Sequence, residues 1–231
     1  MKYQAVIFDL FGTLIDKLSM IEHTAVLRHM ASVLFVPSDD FIRLWFDTFE
    51  ERGLGFFKTL DDNIEYICRR LQTRTDGASI KLAVEINRNY TAHAMKLRPY
   101  AMEVLSYLKS HDYKVGLITD CSAEVPKLLK NLPFAQMIDV AIFSALVGMQ
   151  KPDPRIYRLA AERLAVEPAV CLYIGDGDSY ELTGASRVGM HPILIRDLKE
   201  NSSDVYRVNA EANEWHGIII SSLNEVLDLV K

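Results

Sequence analysis

From about Pro99 onward, short apolar runs alternate with stretches of helical spacing. Val115 to Ile118, Val140 to Phe143, Val170 to Ile174 and Ile193 to Ile195 are continuously apolar, the pattern of strands buried on both faces. Between them, Ala101 to Ser110, Pro154 to Leu164 and Tyr180 to Val188 carry a helical period. Ala5 to Phe8 predicts one more strand near the N-terminus. Alternating strands and helices predict a three-layer α/β core, Rossmann-like, with a mainly parallel sheet.

Residues from about Asp16 to Met95 have a different texture. Phe41, Leu44, Trp45 and Phe49 fall at i, i+3, i+4 and i+8, and Ile64, Ile67, Cys68 and Leu71 at i, i+3, i+4 and i+7. Pro37 is the only proline in this stretch, and no β-rich run as clear as the later ones interrupts it. The pattern predicts an all-helical insertion after the first strand. The chain then divides into a core of residues 1–15 and 96–231 and an inserted helical domain of residues 16–95. The aromatic stripes are read as bundle core in preference to a cofactor-binding surface.

Composition narrows the function classes. With 231 residues and 49% hydrophobic content, the chain has enough apolar surface for a full core without disulfides or structural metals. A formal charge of -5 and a pI near 5.7 provide no broad positive field, so no nucleic-acid partner is expected. Cys68, Cys121 and Cys171 are odd in number and widely spaced, which predicts neither a disulfide framework nor a zinc site and fits a reducing cytoplasm. No apolar run has the length of a signal-peptide h-region or a membrane span, so a soluble protein without a membrane partner is expected. The expected assembly is a monomer or homodimer. The polar stretch Asp197 to His216 reads as surface loop with a short helix, and the six histidines show no metal-ligand spacing.

In open α/β sheets, ligands bind beyond the carboxyl ends of the strands, where loops vary and helix N-termini present unpaired N–H groups. Polar residues follow the apolar runs at that edge: Asp9, Thr119 with Asp120, Ser144, Gly175 with Asp176, and Arg196. Each has a structural explanation of its own. Asp9 could cap a turn, Gly12 could serve a positive φ, and Asp153 with Pro154 could open a helix after Lys151. Asp176 and Asp178 could form an ordinary Gly-rich turn. Shared placement at one sheet edge favours a site.

The segments FDLFGTL, LITD, GMQKPDPRIY and IGDGDSYELTGASRVGM, in this order, resemble the four signatures of the haloacid dehalogenase-like (HAD) superfamily. The helical insertion stands where that family carries an α-helical cap. The resemblance implies that Asp9 is a nucleophile forming a covalent aspartyl intermediate, that Thr119 holds the transferred group, and that Lys151 neutralises charge. It further implies Mg²⁺ bound by Asp9, Asp176 and the Phe11 main-chain carbonyl. It also implies that Glu181 supports the metal through water or orients Lys151. Gly12, Thr13 and Asp120 are expected on the substrate side, although Asp120 replaces the more usual Asn. Asp178 reads equally as a second acid or as a solvated turn residue. A carboxylate attacking a phosphate dianion meets like-charge repulsion, which a divalent cation and a lysine offset.

Phe11 departs from the phosphatase pattern, which places a second aspartate two residues after the nucleophile as general acid–base. Three readings follow from the resemblance. The favoured one is a Mg²⁺-dependent phosphatase acting on a small phosphorylated molecule whose leaving group needs little protonation, or whose proton comes from the cap or from the substrate. The second is an L-2-haloacid dehalogenase, whose family pattern has an aromatic residue at Phe11 and a tyrosine closing the Lys151 to Tyr157 segment. Dehalogenases hold the substrate with a cap arginine, for which Arg43 and Arg52 are available, but they lack an acid at the Asp176 position. The third is a non-catalytic binding or regulatory descendant. From the insertion, Lys58, Arg52 and Trp45 are candidate contributors to which no role is assigned, because charged and aromatic helix residues more often face solvent or core.

Overall fold

The computed structural model describes residues 2–196 and 210–231. Strand β1 (Ala5–Phe8) is followed by helices α1 (Met20–Val33), α2 (Ser38–Asp47), α3 (Phe49–Gly53), α4 (Leu60–Arg70) and α5 (Gly77–Ala94). Then come α6 (Ala101–Ser110), β2 (Lys114–Thr119), α7 (Val125–Leu129), β3 (Val140–Phe143), α8 (Ser144–Val147) and α9 (Pro154–Leu164). The chain continues through β4 (Cys171–Gly175), α10 (Glu181–Arg187), β5 (His191–Ile195), α11 (Ala210–Glu214), β6 (Ile219–Ile220) and α12 (Val226–Val230).

The sheet is parallel throughout, in the order β3-β2-β1-β4-β5-β6. Side chains on β1 alternate between two cores. Val6 and Phe8 join Val104, Leu108 and Val226 from α6 and α12, whereas Ala5 and Ile7 join Ile156, Ala160 and Leu182 from α9 and α10. Both sheet faces are therefore covered, which is why these strands lack polar alternation. Helix α9 starts as its sequence suggests, with Asp153 accepting the Arg155 N–H at 2.9 Å and Pro154 at the first position.

Helices α1, α2, α4 and α5 close over a core of their own that includes Leu27, Met30, Phe41, Leu44, Ile64, Ile67 and Val84. The aromatic stripe does not run through one helix: α2 stops at Asp47, and Phe49 falls in α3. The insert leaves and rejoins the core at adjacent points. Asp16 N–H donates to Lys96 O at 2.9 Å, Arg98 N–H donates to Leu14 O at 3.0 Å, and Ile15 and Leu97 form an antiparallel bridge. Its far side rests on α8, where a Cβ at Gly55 would lie 2.0 Å from the Ala145 carbonyl oxygen.

One element, β6, was not expected from the sequence. The two-residue strand β6 is too short to show in the hydrophobic pattern. Within the stretch expected as surface loop with a short helix, α11 is present, and residues 197–209 lie outside the described residues. Among the described residues no helix is long and apolar enough to cross a membrane. All three cysteines are free and buried.

Candidate active site

Strand β1 lies between β2 and β4, where the chain order reverses, and the end of such a strand opens a crevice between diverging loops. Asp9 is the first residue beyond β1, and its N–H donates to Ile174 O at 2.9 Å. The loop behind it is tightly folded. Gly12 N–H donates to Ile15 O at 2.8 Å, Leu14 and Ile15 N–H both donate to Leu10 O, and the buried Arg98 guanidinium donates to the Gly12 carbonyl. Gly12 has φ +85, and a Cβ there would lie 2.3 Å from Asp176 Oδ2. Glycine is required by both conformation and space.

Lys151 reaches this point from the loop after α8. Its Nζ donates to Asp9 Oδ1 and to Glu181 Oε2, each at 2.6 Å. Glu181 Oε2 also accepts the Tyr173 hydroxyl at 2.7 Å, and Oε1 accepts the Gly177 N–H at 3.0 Å. Gly175 makes room for this carboxylate, because a Cβ there would lie 2.2 Å from Glu181 Oε1. Burial pushes the Glu181 carboxyl up while Lys151 pulls it back. Burial alone would lower Lys151, but Asp9 and Glu181 overcome it and hold the ammonium well above the ordinary lysine value. Three donors converging on Glu181 favour the ionised pair. Asp9 is raised to about 6, first by burial and then by Asp176, with Lys151 opposing.

Asp176, at the end of β4, is buried; its Oδ1 accepts the Asp178 N–H at 3.0 Å, and its Oδ2 meets Lys17 Nζ at 3.0 Å. Oxygens of Asp9, Asp176 and Glu181 all lie within 4.8 Å of one another. This hard-oxygen cluster suits Mg²⁺, which takes one or two carboxylates at about 2.0–2.1 Å and fills its octahedron with water or substrate oxygens. Because Lys151, Tyr173 and Gly177 already engage Glu181, the carboxylates that fit as direct ligands are Asp9 and Asp176.

The remaining sequence candidates divide. Asp120 lines the cleft and accepts the Lys151 main-chain N–H on Oδ1 at 3.1 Å, so its carboxylate positions the lysine loop. Ser144 Oγ accepts the Cys121 N–H at 2.9 Å and locks the loop after β2. The Thr13 and Thr119 hydroxyls are fully buried, without a hydrogen-bond partner among the described residues, and sit behind the cleft wall. Gly12 sits behind the wall too, and its N–H is satisfied within the loop. Asp178 lines the cleft while accepting the Ser179 N–H on Oδ1 at 2.8 Å. Arg196 turns away to Ala212 O and Asn213 Oδ1. Tyr157 is buried under α10, donating to Glu181 O at 3.0 Å. Phe11 lines the cleft and also packs against the core.

The insert supplies the opposite wall: Trp45, Arg52, His23 and Tyr90 line the cleft across from Asp9. Arg52 is buried; Nη1 donates to Trp45 O at 2.6 Å and Thr48 Oγ1 at 2.7 Å, and the guanidinium stacks 4.4 Å from the Trp45 ring. Arg43 instead pairs with Asp40 and Asp47 on the exposed face of α2, and Lys58 donates to Gly55 O. His23, Tyr90 and Lys17 carried no signal in the sequence, since single polar residues on a helix or in a connecting segment have no distinctive spacing.

His23 stacks on Tyr90 with centroids 5.4 Å apart. Burial, and then the Arg52 guanidinium, lower its imidazole to about 4. A base held below its ordinary value is protonated first in the unfolded chain, so stability falls as pH drops from about 6.5 towards 4, by up to about 1.4 kcal/mol per pH unit. Urea unfolding of wild type and His23→Gln should therefore show a stability difference that changes across this window, the wild type losing more on acidification. A difference constant with pH would mean that His23 is not held neutral.

Residues 3–189 match the family of haloacid dehalogenase-like hydrolases. This chain belongs to that family. The haloacid dehalogenase-like hydrolase is 24% identical over 232 residues to a glyceraldehyde 3-phosphate phosphatase of Methanocaldococcus jannaschii, covering 99% of this chain and 97% of the relative. It is 26% identical over 203 residues to (S)-2-haloacid dehalogenase 4A of Burkholderia cepacia, covering 83% and 82%. Its fold matches the crystal structure of a HAD phosphatase from Thermococcus onnurineus with a TM-score of 0.68, at 22% identity and 98% and 97% coverage.

Proposed function

We propose that this hydrolase is a Mg²⁺-dependent phosphatase of small phosphorylated molecules, working through an aspartyl-phosphate on Asp9. The observation that carries the proposal is a buried acid, Asp176, beside the nucleophile–lysine pair: a metal-free dehalogenase has no use for that carboxylate, and a cation site does. The phosphatase relative, matched over nearly the whole chain, supports the same choice. Residues 16–95 act as the cap domain and residues 1–15 with 96–231 as the catalytic core. The Trp45 and Arg52 wall facing Asp9 supports that division.

In this mechanism one Asp9 oxygen attacks phosphorus in line while the bond to the leaving oxygen breaks, and water later cleaves the acyl phosphate. Lys151 holds Asp9 ionised and offsets phosphate charge, Glu181 and Asp120 fix the lysine, and Thr119, buried behind the cleft wall, supports the strand end that carries Asp120. Thr13 supports the nucleophile loop, and Gly12 keeps Asp176 within reach. Asp9, Asp176 and the Phe11 carbonyl would hold Mg²⁺, which would supply Lewis-acid neutralisation of phosphate charge. Phe11 has no proton to give the leaving oxygen. Substrates with good leaving groups therefore react best, because a missing general acid costs about 10²–10⁴-fold in rate.

Phosphate release should be readily measured with acetyl phosphate and p-nitrophenyl phosphate in Mg²⁺, be lost in EDTA, and be far weaker with simple alkyl phosphates. EDTA-resistant chloride release from 2-chloropropionate would establish dehalogenation instead. Inactivity on every substrate would point to a binding protein.

A further inference from the structure

We propose that Lys17 is an internal competitor of the divalent cation: its ammonium occupies Asp176 and must leave that carboxylate for the cation to bind. This rests on the cation-dependent reading of the site given above. Lys17 Nζ lies 3.0 Å from Asp176 Oδ2. The other oxygen, Oδ1, accepts the Asp178 N–H at 3.0 Å. A cation held by Asp9 and Asp176 would therefore meet a positive charge already seated on the second of these carboxylates.

The two lysines of the site are built differently. Lys151 has a side chain only 3% exposed and is fixed by two carboxylates. Lys17 has a side chain 25% exposed and lines the cleft. Its stem passes over Gly12, with Cε 2.8 Å from where a Cβ at that residue would lie. The glycine that gives Asp176 its place thus also opens the track along which Lys17 reaches it. A partly exposed, unbranched side chain on that track has room to withdraw its ammonium into the cleft, so Asp176 is charge-compensated in both states. Lys151 has no such freedom.

A unit charge a few ångströms from a divalent ion weakens binding by about tenfold even with strong solvent screening. Removing it strengthens binding by the same factor. The test is calorimetric titration of Mg²⁺ into the full-length, EDTA-stripped wild type and the Lys17→Met, Lys17→Gln and Lys17→Arg proteins, each checked for an unchanged melting profile. Lys17→Met and Lys17→Gln should bind Mg²⁺ about tenfold more tightly than wild type, Lys17→Arg should not, and Asp176→Asn should abolish binding in either background. Equal or weaker binding by both neutral variants overturns the proposal. If phosphate release still needs Mg²⁺ in that case, the phosphatase reading survives. If neither wild type nor Lys17→Met takes up Mg²⁺, the cation-dependent reading and the competitor both fall.

Discussion

Asp9→Asn should reduce phosphate release to background, a fall of roughly 10⁴-fold or more, the scale on which removing a covalent nucleophile acts. The same substitution should stabilise the protein. Burial raises the Asp9 carboxyl to about 6, from an ordinary 3.8. An acid raised by folding costs stability above its folded value and costs nothing below its ordinary one. At neutral pH the cost is on the order of 3 kcal/mol. Asparagine keeps the shape and drops the charge. A malachite-green assay and a thermal melt check the two halves, and a variant that still turns over would remove the covalent route.

Lys151→Met carries the second large effect, with the opposite sign in stability. The substitution leaves Asp9 and Glu181 facing each other without the ammonium that touches both at 2.6 Å. Breaking a buried pair by deleting one partner costs about 3–5 kcal/mol, because the remaining charge is uncompensated. Turnover should vanish and the melting temperature should drop. Adding Glu181→Gln to Lys151→Met should restore part of the stability and none of the activity. Full stability in the single variant would mean that the carboxylates do not depend on the lysine.

The parts of this fold that were legible in the sequence are those fixed by local patterning. Val140–Phe143, Ala101–Ser110 and Pro154–Leu164 have the bounds that apolar runs, helical period and cap chemistry assign them. Asp9, Lys151, Asp176 and Glu181 were readable because each follows a strand or sits in a motif, and a parallel sheet brings strand ends to one edge. The role of Asp120 became plain only from its bond to the Lys151 N–H, because a carboxylate in place of an amide says nothing of what it touches. The far wall was hidden for a different reason. Whether Trp45 or Phe49 faces the bundle or the cleft depends on where α2 breaks, and that break falls at Thr48, whose hydroxyl donates back to Leu44 O and Trp45 O, without a glycine or proline to mark it. Arg98 was silent too, since its bond to Gly12 spans 86 positions.

The paired crossings at Ile15–Leu97 and Asp16–Lys96 have an evolutionary corollary. A module whose entrance and exit are stitched together behaves as a cassette: recombination at that seam could swap one helical bundle for another while every strand of the sheet kept its neighbours. On the proposed reading of residues 16–95 as a cap, such an exchange would alter selectivity while leaving the chemistry at the strand ends in place.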